Sequence, residues 1–128
     1  MFTLAQIDEI HDHLGNAETL AAYVRALKAI GVETYESYVT DGHSAYLGKD
    51  GYSVRSSPAH DKLTIADRSD RDSFLEHLSL HEQGKTSYVE MSERLAASGI
   101  EKWSVDTSRM TMIFYDKAGN AMLVEIIA

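Results

Sequence analysis

One stretch of the chain occurs twice. Gly31-Val32-Glu33 returns as Gly99-Ile100-Glu101, Tyr35 as Trp103, Tyr46 as Phe114, and Lys49-Asp50-Gly51 as Lys117-Ala118-Gly119, all at one offset of 68 residues. Tyr23-Val24 returns as Tyr88-Val89 at a slightly smaller offset, which puts a small length change inside a helix. A chain that repeats a helix-stop-strand pattern folds most economically as one building block used twice. The plainer reading is that helix–glycine–strand patterns recur in any α+β protein. We expect two similar halves, about 17–54 and 87–127, with a strand–helix segment at about 60–84 between them.

Periodicity fills in the elements. Thr3 with Gln6 forms a capping-box pattern, followed by Leu4, Ile7, Ile10, His11 and Leu14 on one helical face. Gly15 stops this helix and Asn16 caps the next, which carries Leu20, Tyr23, Val24, Leu27 and Ile30 and ends at Gly31. The period then changes. VETYESYVT reads as a strand, Asp41-Gly42 as a hairpin turn, HSAYL as a second strand, GKDG as a turn and YSVRS as a third strand. Three strands joined by tight turns make a meander.

Pro58 closes this half in a loop, and KLTIAD is a further short strand. Ser69 with Asp72 opens a helix carrying Phe74, Leu75 and Leu78, and Ser87 with Glu90 opens another carrying Tyr88, Met91 and Leu95. IEKWSVD, MTMIFYD and AMLVEIIA follow as strands. The last two are apolar at both parities, which suggests the middle of the sheet. The more polar VETYESYVT suggests an edge or a solvated face. The fold class is α+β: two helix-plus-three-stranded-meander halves forming a mainly antiparallel sheet packed by helices, in a single domain over 1–128.

Composition removes whole classes of function. Without cysteine there is no disulfide, thiol nucleophile or thiolate metal site, which fits a reducing compartment. Acid stands where a signal peptide would carry base, and no stretch approaches the roughly 18 apolar residues of a spanning helix. We therefore expect a soluble, cytoplasmic protein with no membrane partner. A net charge of −8, with bases scattered singly, repels phosphate backbones and argues against nucleic acid.

GVETYESYVTDGHSAYLGKDGYSV, HEQGKTSY and GIEKWSVDTSRMTMIFYDKAGNAMLVEII together resemble the YdfO-like family of small bacterial and prophage-associated proteins, some of which carry an inherited phage-envelope label. The similarity spans nearly the whole chain. The resemblance implies a compact α+β fold and brings no activity, cofactor or catalytic residue. Nothing in these residues suggests a shell component.

Few constellations carry chemistry. His77 and His81 stand four apart on a helix and could share a divalent metal, with His60 or Asp61 as a third ligand. The plainer account is one boundary and one exposed histidine. His11 and His13 flank Asp12, with His11 in the apolar stripe as a core histidine, and neighbours in a helix point apart.

Glu125 interrupts an otherwise apolar strand, where a carboxylate is costly unless paired or facing a cavity. There it could act as a base or ligand anchor; a strand end reaching solvent, or an ion pair with Arg109, competes. Tyr35, Tyr38, Tyr46, Tyr52, Trp103, Phe114 and Tyr115 belong to the meanders and suit either a pocket wall or cross-strand core pairs.

The function favoured is a non-catalytic module that binds a small organic ligand or a protein, with Tyr35, Tyr46, Trp103, Phe114 and Glu125 as ligand-binding candidates. No cofactor is expected, and a second copy of the chain is admitted as a partner. The alternatives are a small enzyme using Glu125 or a histidine as acid–base group, and a prophage accessory or structural protein.

Overall fold

The computed structural model describes residues 1–14 and 19–127; the stop at Gly15, the cap at Asn16 and the start of the first half at 17 lie outside them. Helix α1 (Leu4–Leu14) opens on the reciprocal capping box, with Gln6 N–H donating to Thr3 Oγ1 at 3.2 Å and Thr3 N–H to Gln6 Oε1 at 2.8 Å. It buries Ile7. Helix α2 (Leu20–Ala29) buries Tyr23, Val24 and Leu27. Strands β1 (Thr34–Tyr38), β2 (Ser44–Leu47) and β3 (Ser53–Arg55) follow, then α3 (Arg71–Glu82) and α4 (Tyr88–Ala97). Strands β4 (Ile100–Asp106), β5 (Thr111–Asp116) and β6 (Ala121–Ile126) complete the chain. Among the described residues, these four α-helices and one six-stranded antiparallel sheet make an α+β fold.

The strand order is β3-β2-β1-β4-β5-β6, so two meanders meet along β1 and β4. Thr107 fastens that seam: its buried Oγ1 lies 2.8 Å from the Val32 carbonyl and 2.9 Å from that of Glu33. The helices pack on the sheet face that carries Tyr35, Ser37, Val105, Met112 and Phe114. Cross-strand register lines up two rows on this inner face. One runs Val54, Tyr46, Tyr35, Val105, Met112, Glu125; the other runs Ser44, Ser37, Trp103, Phe114, Leu123. The outer face is polar at its centre, where Lys102 pairs with Glu36 at 3.2 Å and the Tyr38 hydroxyl donates to Glu36 at 2.8 Å. Lys102 also sits over the rings of Tyr38 and Tyr115.

Four expectations are corrected. AMLVEIIA lies at an edge of the sheet rather than its middle, and VETYESYVT lies at the centre rather than an edge, though Thr34, Glu36 and Tyr38 do stand on its outer face. With helices on one face only, alternation reports which face a residue occupies, not how deep its strand lies. Val124 and Ile126 simply point outward, 58% and 73% exposed. KLTIAD is no strand: Leu63 N–H donates to Thr40 O and Ala66 N–H to Ala96 O, so this segment fastens a turn and a helix end without joining a ladder. Asp70, not Ser69, caps α3, its carboxylate accepting from Ser73 N–H at 3.1 Å. The Ser87–Glu90 capping box on α4 is present in both directions.

Candidate functional site

Between the inner face and the helices lies a cavity of about 560 Å³, within the range of roughly 300–1,000 Å³ common for small-molecule sites. The sheet supplies its floor through Tyr35 and Ser37 of β1, Ser44 and Tyr46 of β2, Trp103 of β4, Met112 and Phe114 of β5, and Glu125 of β6. Helices supply the walls: Asp8 and His11 from α1, Leu20 and Tyr23 from α2, Leu78, His81 and Glu82 from α3, Tyr88 and Met91 from α4. Strand parity explains the floor, because residues two apart on β1 and β5 face the helices together.

The aromatic part is a connected cluster. Tyr35 lies directly opposite Tyr46, and Trp103 opposite Phe114, with ring centroids 5.6 and 5.9 Å apart. Tyr23 meets Tyr35 edge-on at 6.1 Å, and its hydroxyl stands 3.5 Å from that of Tyr46. Burial raises the Tyr23, Tyr35 and Tyr88 phenols above their ordinary value, with neighbouring tyrosines adding to the effect. These three phenols are therefore uncharged at neutral pH. Beside the cluster, Ser37 and Ser44 share a buried hydrogen bond of 2.7 Å.

Charge enters at the β6–α3 side. Glu125 is half-buried opposite Met112, and its carboxyl is raised above the usual value of 4.5, first by burial and then by the like charge of Glu82. Its charged neighbour is thus Glu82 rather than Arg109, whose backbone N–H is held by Asp106.

A carboxyl raised in the native state contributes stability that is complete below about pH 4.5 and is lost as pH climbs through the native value. Glu125→Gln should therefore melt higher than the parent at pH 7, by on the order of 1–2 °C because solvent screens a half-exposed group. The difference should close toward pH 4, as thermal melts across pH would record. A variant melting lower at pH 7 would mean that a stabilising partner holds the carboxylate.

Tyr35, Tyr46, Trp103, Phe114 and Glu125 thus all border one cavity. Tyr38 and Tyr115 instead meet Lys102 on the outer face, and Tyr52 packs edge-on against Phe2. His77 lies outside the cavity lining, while His81 borders it with Nδ1 3.1 Å from the Thr86 carbonyl. Among the described residues, no group of three or more His, Cys, Asp or Glu is placed to hold a metal ion. His11 is exposed rather than a core histidine, because Tyr23 fills the interior next to it and His11 meets that ring edge-on at the rim. Sequence reasoning passed over Ser37, Ser44, Tyr23, Asp8 and Glu82. For Ser37 a signal was present: it shares the parity of Tyr35 on β1 and of Val39 just beyond its end.

Fold and cavity together define an α+β protein whose antiparallel sheet and helices enclose an aromatic, acid-rimmed chamber. The description "protein of unknown function (DUF1398)" matches residues 8–126, and the chain belongs to that family. No curated protein matches the chain. Among the described residues, no helix is long and apolar enough to cross a membrane.

Proposed function

We propose that the protein is a binding module that holds a small organic molecule in the cavity between sheet and helices. The observation that carries this is the convergence of two cross-strand aromatic pairs, Tyr35–Tyr46 and Trp103–Phe114, on one chamber large enough for a drug-sized guest.

The register supports reading the chain as one block used twice. The second aromatic pair stands 68 residues beyond the first at both members, and each meander follows a helix in the same order. The cavity floor would then span the line between the halves. The protein is further read as YdfO-like and of bacterial or prophage origin on its sequence resemblance, and as cytoplasmic on its lack of cysteine.

A second function, acid–base catalysis through Glu125, draws on the raised carboxyl. The hydroxyls on the cavity floor do not favour it, since Ser37 and Ser44 bond to each other rather than to a base.

Trp103 is the only tryptophan in the chain and borders the cavity, so the site reports on itself. Titration with N-phenyl-1-naphthylamine, a neutral aromatic dye, should give saturable one-to-one enhancement of dye emission with parallel quenching of Trp103. Ser37→Leu, which fills the floor, should weaken both. Dye emission that rises linearly without saturating, with Trp103 unquenched, would overturn the binding role.

A further inference from the structure

We propose that the molecule held in the cavity is an organic cation, a flat or aromatic body bearing an amine or quaternary ammonium group, with Glu125 as its principal counter-ion. This rests on the binding role proposed above and names the chemistry of the guest.

Two independent features of the lining select positive charge. The first is the carboxylates. Asp8, Glu82 and Glu125 all border the chamber, and among the described residues none that lines it is a lysine or arginine. Among the described residues, the carboxylate of neither Glu82 nor Glu125 takes part in a hydrogen bond or ion pair, although Glu125 sits half-buried on the sheet face beneath the helices. A carboxylate in such surroundings is costly without a partner, and a second carboxylate nearby adds to the cost. A bound cation removes both penalties, whereas a bound anion would meet three like charges.

The second feature is the wall. Tyr23, Tyr35, Tyr46, Tyr88, Trp103 and Phe114 surround the same space, and ring faces attract ammonium groups most strongly when water is excluded. Tyr23, Tyr35 and Tyr88 stay neutral phenols, so they add no competing charge. Histidines also face the chamber, His11 at its exposed rim and His81 with one ring nitrogen engaged by Thr86. Binding is to be measured at pH 8.

The test is a matched series on one body measured by isothermal titration calorimetry: 2-(2-naphthyl)ethyl-trimethylammonium, 2-naphthaleneethanol and 2-naphthylacetate. The cation should bind at least about tenfold tighter than the alcohol and the acid weakest of the three, a factor of ten being the scale of one well-placed charge contact. In Glu125→Gln the preference for cation over alcohol should shrink by about the same factor. Glu82→Gln, at an exposed helix position, should shrink it less and guards against a folding defect in the first variant.

If the alcohol equals the cation, or the acid binds tightest, the organic-cation assignment is wrong while the binding role stands. If none of the three binds to folded protein, both fall. If the cation preference survives unchanged in both variants, Glu125 is not the counter-ion and the proposal fails in its stated form.

Discussion

Gly99→Ala should destabilise the fold by at least about 3 kcal/mol, the sum of left-handed backbone strain and overpacking, while Gly31→Ala should cost only about 1–2 kcal/mol. Both glycines end a helix at positive φ, +105° at Gly31 and +85° at Gly99. A side chain at Gly31 would come no closer than 3.7 Å to the Phe2 ring. At Gly99 it would stand 2.8 Å from Ser69 Cα and 2.9 Å from the Arg68 carbonyl, which are backbone atoms that cannot swing aside. That backbone is itself fastened, since Asp70 N–H donates to the Ser98 carbonyl and Ala66 N–H to that of Ala96, each at 2.9 Å. Urea unfolding of the two variants measures the difference. Equal losses would mean that the segment around Ser69 yields freely.

Phe74→Ala should cost about 3–5 kcal/mol, the range for deleting a fully buried aromatic ring. Phe74 is completely buried, and its ring centre lies 5.2 Å from that of Phe114. It is the point where α3 presses on the sheet directly behind a wall of the cavity. Removing the ring both forfeits its burial and leaves a void that rigid neighbours fill only in part. Denaturant melts with an unchanged m-value would isolate the effect as stability rather than a change in the unfolded chain. A loss under about 2 kcal/mol would mean that α3 collapses onto Phe114.

Much of this fold could be read from the residues because its local signals agree. Thr3 with Gln6 and Ser87 with Glu90 are reciprocal caps in the structure, and Asp41-Gly42 does turn the first hairpin. What misled was depth. Thr34, Glu36 and Tyr38 made β1 look peripheral, yet they face outward from a central strand. Their polarity is met by Lys102 across the seam, a partner that only the strand order reveals. KLTIAD similarly suggested a strand, but its backbone bonds go to a turn at Thr40 and a helix end at Ala96 while Ile65 is buried, so it joins no ladder.

At the site, the aromatic positions stood out because large rings at matched offsets are rare in a chain of this size. Ser37 and Ser44 did not, since a serine looks alike in a core row and on a surface. Glu82 sits among exposed residues at the end of α3. Its relevance comes only from tertiary approach to Glu125, which no local pattern encodes.

The first inner row, from Tyr46 through Tyr35 and Met112 to Glu125, also fixes a direction across the sheet. Within the cavity the row runs from two phenols toward a thioether and then an acid, so the floor is a ruler with unlike ends. A rod-shaped guest lying along it has one preferred way round. Head-to-tail isomers of the same size are therefore inequivalent to this surface, and so are the mirror images of a chiral guest that also spans the serine row.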